Sequence, residues 1–109
     1  MIERGAVYLM ASRGTYTGKP RPAVILQNED LQIRSVIVLP LTSEAAGSRE
    51  IRVELAPDDR NGLRSLSYVM CDKITAIPTA SLRERIGSID AETVRRIEAA
   101  VLTVLGFPD

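Results

Sequence analysis

Histidine and tryptophan are absent from this chain of 109 residues, and cysteine and phenylalanine each occur once. Without histidine, general acid–base chemistry near neutral pH lacks its usual side chain. The Cys-His and Ser-His nucleophile pairs are excluded, and so is any metal site that needs imidazole. The single cysteine, Cys71, excludes an internal disulfide framework and is typical of a reducing compartment. Because aromatic residues are scarce, the core must consist mainly of Val, Ile, Leu and Ala.

An excess of either charge is also missing, because fourteen basic residues balance fourteen acidic ones. Phosphate contacts dominate nucleic-acid affinity, so dedicated nucleic-acid binders usually carry a basic excess. The balance weighs modestly against such a binder but leaves room for a local basic site. No run approaches the ~18 apolar residues of a membrane span, and the first residues lack the apolar stretch of a signal peptide. We therefore expect a cytoplasmic protein that does not associate with membranes.

Hydrophobic residues make up 45% of the chain, which is typical of a globular protein, and the length fits a single domain over residues 1–109. Period-two alternation and β-branched runs predict five or six short strands. The expected bounds are 5–10, 22–27, 35–42, 50–55 and 67–71, with 72–77 either continuing the fifth strand or forming a sixth.

The clearest predicted element is a C-terminal helix over residues 91–105. Asp90 suits the N-cap, Glu92 favours the helix dipole, and Gly106 is a natural stop. An apolar stripe at helical spacing consists of Val94, Ile97, Val101 and Leu105. Short strands followed by one helix predict a mainly β protein, a small antiparallel barrel or curled sheet with a helix packed across it.

The connection between the first two predicted strands, Gly14-Thr-Tyr-Thr-Gly-Lys-Pro-Arg-Pro22, is longer than a hairpin needs. Its glycines make the first half flexible and its prolines stiffen the second, as in many binding loops. Arg13, Lys19 and Arg21 offer three positive charges to an anion, with no acid beside them. On charge alone, a solvated loop whose basic residues only aid solubility is the simpler interpretation.

Short motifs in a fixed order extend along almost the whole chain. They are Arg4-Gly5-Ala-Val-Tyr8, the loop 14–22 with Ala23-Val-Ile-Leu26, Val38-Leu-Pro-Leu-Thr-Ser43, Leu66-Ser-Tyr-Val-Met-Cys-Asp72 with Lys73-Ile-Thr75, and Leu82-Arg-Glu-Arg-Ile-Gly87. Each motif alone is weak, but their order and spacing resemble the MazF/PemK (Kid) family of toxins from type II toxin–antitoxin systems. The loop is similar to the family's G-x-E-x-x-G-x-R-P, and residues 38–43 are similar to its V-P-[LV]-T-S.

This resemblance implies a fold, an activity and partners. The fold would be a small SH3-like barrel of the CcdB/MazF type with a C-terminal helix, assembled as a homodimer. The activity would be sequence-specific cleavage of single-stranded RNA without metal or cofactor, leaving 2′,3′-cyclic phosphate and 5′-hydroxyl ends. The partner would be a cognate antitoxin whose disordered, acidic C-terminal segment becomes ordered over the RNA groove.

The resemblance also implies the site residues. Arg21 matches the family's catalytic arginine, and a guanidinium suits a phosphorane dianion because it presents a planar fork of donors and stays charged. Thr42 matches the active-site threonine, whose hydroxyl could donate to the same phosphate or orient the 2′-hydroxyl. The expected substrate-binding residues are Arg13, Tyr16, Thr17, Gly18, Lys19, Ser43 and Asp72. Plainer interpretations are a surface ion pair for Arg21, a strand end for Thr42 and a turn for Asp72.

Departures from the family patterns leave other functions open. Tyr16 stands where the loop often has glutamate or glutamine, Met70 stands where the Kid branch has arginine, and that branch's histidine is absent. Catalysis would therefore depend on Arg21 and Thr42. One alternative is a non-catalytic toxin of the CcdB type that binds a protein target such as DNA gyrase. Another is a degenerate relative that only binds an antitoxin or RNA.

Overall fold

The computed structural model describes residues 2–11, 19–31, 33–45 and 47–108. Within these ranges lie seven strands and one α-helix. They are β1 (Ala6–Met10), β2 (Arg21–Ile25), β3 (Ser35–Thr42), β4 (Arg52–Leu55), β5 (Ser67–Met70), β6 (Thr75–Pro78), β7 (Leu82–Ser88) and α1 (Ala91–Leu105). A single 3-10 turn, Thr79–Ser81, joins β6 to β7.

Antiparallel pairing joins the strands in the order β4-β5-β3-β2-β1-β7, and β6 pairs additionally with β3. The long β3 holds the sheet together because it contacts three neighbours. Its first half pairs with β6, its middle with β2, and its last two residues with β5. The sheet therefore divides along β3 and curls. The predicted architecture, mainly β with a C-terminal helix, is confirmed.

The main core lies between the curled sheet and α1. Its most deeply buried side chains, each no more than 2% exposed, include Val7, Val24, Leu39, Val69 and Ile97. A second cluster of Ala6, Ala23, Ile25, Val36 and Val38 lies on the other face of the first three strands. Because β2 contributes alternate residues to both clusters, its unbroken apolar sequence follows from burial on both faces.

The helix has the bounds that the sequence predicts. The Asp90 carboxylate accepts a hydrogen bond from the Thr93 amide at 2.7 Å, and Gly106 ends the helix in the left-handed region with φ 77°. A side chain at Gly106 would be strained there, which is why glycine suits the position. Among the described residues, no helix is long and apolar enough to cross a membrane.

The prediction missed β7 and, among the strands, placed both ends correctly only for β3. β4 begins at Arg52 rather than at residue 50, and β5 ends at Met70. Residues 72–77 do not continue β5, because a turn at Cys71 and Asp72 intervenes and the sixth strand begins only at Thr75. Leu82–Ser88 forms a strand because it pairs with β1, with register shifts, although its centre is charged and exposed.

Candidate active site

Arg21 and Thr42 lie at the adjacent ends of neighbouring strands. Arg21 is the first residue of β2 and Thr42 is the last residue of β3. The pairing of β2 with β3 ends at Ala23 and Pro40, and Arg21 and Thr42 each lie two residues beyond this last pair. Side chains alternate between faces with period two, so both point away from the main core. The two side chains therefore share one side of the sheet, near the end at which β2 begins and β3 finishes.

The local structure at the end of β3 orients the Thr42 hydroxyl. Its Oγ1 accepts a hydrogen bond from the Glu44 amide at 3.1 Å. A hydroxyl has one donor proton and two acceptor lone pairs, so this contact uses a lone pair and leaves the proton for an outside acceptor. Ser43 follows directly and is exposed. The Thr42 hydroxyl can therefore donate its proton in a hydrogen bond to a phosphate oxygen.

The same face continues across two further strands. Thr42 pairs with Tyr68 of β5, and Tyr68 pairs with Glu54 of β4. Opposed residues lie on one face, so a row of side chains runs from Arg21 through Thr42 and Tyr68 to Glu54. We call these four residues the cross-strand row. It brings together side chains that are up to 47 positions apart in the sequence, Arg21 and Tyr68 being the most distant pair.

Asp72 forms a two-point ion pair with Arg52. The Arg52 Nε donates to Oδ1 at 2.8 Å and Nη2 donates to Oδ2 at 3.2 Å, while the Lys73 ammonium lies 3.4 Å from Oδ2. The hydrogen bonds from Arg52 lower the pKa of Asp72 to about 2. A carboxylate with so low a pKa accepts a proton poorly, so Asp72 is better suited to hold Arg52 in place than to act as a base.

The row opens into a pocket beside the edge strand β4. The pocket has a volume of about 420 Å³ and is lined by Ala45, Gly47, Arg49, Arg52, Glu54, Tyr68 and Arg96. Arg49 lies in the loop before β4, and Arg96 reaches the pocket from α1. Sequence reasoning missed all three arginines as site residues. The sequence signals were the polar positions of the alternating segment 50–55 and the solvent-exposed face of the helix. Neither signal shows that the strand and the helix contribute to one pocket.

The other predicted site residues are distributed as follows. Lys19 is exposed two residues before Arg21. The predicted contacts at Arg13, Tyr16, Thr17 and Gly18 lie outside the described residues, so those assignments stay predictions. In the ranges that the structure describes, no three His, Cys, Asp or Glu side chains are grouped so that they could hold a metal ion.

Cys71 does not offer a reactive thiolate. The side chain is completely buried in the main core. Burial raises the pKa of its thiol to about 11, with a further contribution from the negative charge of Asp72. The thiolate is the nucleophilic form of cysteine, so this residue is a core side chain at neutral pH.

Comparison with known proteins places these features in a family. Residues 3–105 match the family described as PemK-like, MazF-like toxin of type II toxin–antitoxin systems. The chain belongs to this family. It is 37% identical, over 107 residues, to a protein of Mycolicibacterium smegmatis named probable endoribonuclease MazF, and the match covers 97% of this chain and 98% of that protein.

Solved structures share the fold over nearly the whole length. The Mycobacterium tuberculosis toxin MazF-mt6 superposes with a TM-score of 0.82 at 24% identity, covering 95% of this chain and 99% of that one. An endoribonuclease from Mycobacterial species, solved in complex with its cognate antitoxin, gives a TM-score of 0.82 at 26% identity and covers 100% and 99%. The MazF-type toxin fold is therefore confirmed for this chain.

Proposed function

We propose that this protein is a toxin that cleaves single-stranded RNA within a short recognition sequence. The observation that supports the proposal is that Arg21 begins β2 and Thr42 ends β3, each two residues beyond the last pair of these neighbouring strands. Family membership and the name of the Mycolicibacterium smegmatis relative support it. The guanidinium and the hydroxyl together present several donors to one phosphate, which is the group that RNA cleavage must stabilise.

RNA carries its own nucleophile, so the protein needs few chemical groups. The 2′-oxygen forms a bond to phosphorus, the bond from phosphorus to the 5′-oxygen breaks, and a 2′,3′-cyclic phosphate remains. The proton of the 2′-hydroxyl is lost to base, and the leaving 5′-oxygen gains a proton to become a 5′-hydroxyl. No metal or cofactor is needed for this sequence of steps.

Arg21 stabilises the charge that develops on the phosphorane oxygens. Its planar fork can donate to two oxygens at once, and its charge does not depend on pH. Thr42 donates its hydroxyl proton to the same phosphate or orients the 2′-hydroxyl. Removal of one donor aimed at transition-state charge costs about 3–4 kcal/mol in comparable sites. Asp72 assists from a distance by holding Arg52, because its low pKa makes it a weak base.

We also propose that the toxin is a homodimer inhibited by an antitoxin in the cytoplasm. The structure of a mycobacterial endoribonuclease with its cognate antitoxin supports such a partner. A disordered acidic segment would compete with RNA for Arg21, because both ligands are anionic. Pairing of two small barrels would also increase the total buried surface.

The first test is cleavage of a long single-stranded RNA by purified protein in the presence of EDTA. Primer extension would locate the ends, and the variants Arg21→Ala, Arg21→Lys and Thr42→Val would be compared with the wild type. The matched control is Arg34→Ala, which removes an exposed arginine just before the opposite end of β3. We expect discrete cuts whose rate falls about 100- to 1,000-fold in Arg21→Ala. Arg21→Lys should restore only part of the rate, because lysine lacks the planar fork.

One result would refute the proposed cleavage, and two others would overturn the role of Arg21. Intact RNA from folded wild-type protein would favour a non-catalytic toxin, and a DNA gyrase supercoiling assay would then follow. Cleavage that Arg21→Ala leaves unchanged would keep the ribonuclease but remove Arg21 from the mechanism. Loss of cleavage in Arg34→Ala as well would show that surface charge, rather than Arg21 itself, controls the rate.

A further inference from the structure

The pocket beside β4 is adjacent to the proposed reaction centre but separate from it. Tyr68 lines the pocket and is also the cross-strand partner of Thr42. Neighbouring strands lie ~4.8 Å apart, so the pocket begins one strand away from Thr42. RNA whose scissile phosphate lies between Arg21 and Thr42 would pass an adjacent nucleotide over this position.

Positive charge dominates the pocket. Arg49, Arg52 and Arg96 line it, and Glu54 is the single acidic residue among the lining side chains. Arg52 is held by Asp72, whereas Arg49 and Arg96 form none of the ion pairs found among the described residues. Arg96 makes a long contact, 3.5 Å, from Nη2 to the Thr93 hydroxyl, and its charge contributes to lowering the pKa of Asp90. Two guanidinium groups therefore remain for an anion.

The remaining lining groups match a nucleobase. The ring of Tyr68 offers a surface on which an unstacked base can lie, and stacking of this kind tolerates any base because every base has a π-face. Glu54 is the cross-strand neighbour of Tyr68 on the same face. Its carboxylate accepts hydrogen bonds only, so it can pair with an exocyclic amino group, as acidic side chains do with cytosine N4.

We propose that this pocket binds the nucleotide next to the scissile one, and that Glu54 selects an amino-bearing base. Arg49 and Arg96 hold its phosphate, Tyr68 stacks against its base, and Glu54 accepts from the amino group. An acidic peptide is a poorer occupant, because the Glu54 carboxylate repels its side chains. The inference rests on the proposed RNA cleavage for the position of the scissile phosphate, but the binding site itself can be tested without cleavage.

The test measures binding of a short labelled RNA in which 2′-fluoro groups replace the nucleophile, so that cleavage cannot occur. Fluorescence anisotropy would be recorded over a salt series for wild type, Arg49→Ala and Arg96→Ala. The matched control is Arg95→Ala, because Arg95 is adjacent on the same helix but lines a different pocket with Arg4 and Glu98. Each pocket variant should bind about tenfold more weakly. Its slope of log affinity against log salt should be smaller by about 0.7.

Base preference provides a second readout. Wild type should bind 2′-fluoro oligocytidylate about tenfold more tightly than the oligouridylate, because uracil has no amino group. Glu54→Gln should reduce this ratio toward one, because an amide can also donate to the uracil carbonyl. Thermal unfolding of each variant would confirm that these exposed substitutions leave the fold intact.

The outcomes separate the pocket from the catalytic proposal. If wild type cleaves RNA but Arg49→Ala and Arg96→Ala bind like Arg95→Ala, the pocket assignment is wrong and the function stands. If wild type does not cleave but the pocket variants lose RNA affinity as expected, the pocket binds RNA and the proposed cleavage is wrong. Wild type that does not bind the RNA would overturn the inference. So would pocket variants that lose affinity for polyglutamate while keeping it for RNA, because an acidic protein segment would then be the occupant.

Discussion

The ion pair between Arg52 and Asp72 leads to a quantitative prediction for Asp72→Asn. The pKa of Asp72 falls from 3.8 to about 2 on folding, chiefly through the hydrogen bonds from Arg52. One pKa unit corresponds to ~1.4 kcal/mol, which gives an upper value of about 2.4 kcal/mol. The Asp72 side chain is 22% exposed, and solvent screening weakens such a pair. We therefore expect Asp72→Asn to lower the free energy of unfolding by about 1–2 kcal/mol at pH 7.

The stabilisation from Asp72 should depend on pH in a defined direction. Because the pKa is lower in the folded state, the stabilisation is fully present above the unfolded pKa, near pH 4, and is lost as the pH falls toward 2. Urea unfolding between pH 3 and pH 7, at one fixed protein concentration, should show the difference between wild type and Asp72→Asn closing below pH 4. The control is Asp59→Asn, which removes an exposed loop carboxylate. A difference that persists unchanged to low pH, or one matched by Asp59→Asn, would refute the reasoning.

The remaining stability predictions concern the core and two glycines. Ile97→Ala should cost about 2–5 kcal/mol in urea unfolding, because Ile97 is only 1% exposed between α1 and the sheet; a cost below about 1 kcal/mol would mean that the helix repacks freely. Gly87→Ala should destabilise more than Gly106→Ala, because a Cβ at Gly87 would lie 2.3 Å from the Arg60 carbonyl oxygen. A Cβ at Gly106 would meet nothing within 4 Å, so strain at positive φ, about 1–2 kcal/mol, is the expected cost there. Equal thermal unfolding midpoints for the two glycine variants would contradict this order.

The elements that the sequence predicts well are those in which burial and local pattern agree. Helix α1 has a cap, an apolar stripe and a glycine stop, and its predicted bounds are correct. The strands β2 and β3 are rich in apolar residues that are buried on both faces. β7 was missed because Arg83, Glu84 and Arg85 occupy its centre and are exposed. Its strand conformation follows from backbone pairing with β1, and only Leu82 and Ile86 near its ends pack against the two cores.

The site was predictable only in part, because residue types are visible in a sequence and strand register is not. The motif resemblance selected Arg21 and Thr42, but their placement at neighbouring strand ends depends on the register between β2 and β3. The pocket arginines come from a loop, an edge strand and a helix, and nothing local connects these segments. Asp72 was assigned to substrate binding, with a turn as its plainer interpretation. Its pairing with Arg52 depends on the turn that follows β5.

The titration behaviour of the chain predicts an unusual pH–rate profile for the proposed cleavage. Histidine is the usual general acid or base near neutral pH, and here it is absent. The pKa of Cys71 is raised to about 11 and that of Asp72 lowered to about 2, so neither exchanges a proton between about pH 5 and 7. The logarithm of kcat/KM should therefore rise steadily with pH across this range, because solvent base removes the 2′-hydroxyl proton. The measurement needs constant ionic strength, subtraction of the protein-free rate, and Asp72→Asn measured in parallel. A bell-shaped profile within this range that changes in Asp72→Asn would show that this carboxylate acts as the base, and the proposal that Asp72 only holds Arg52 would then be wrong.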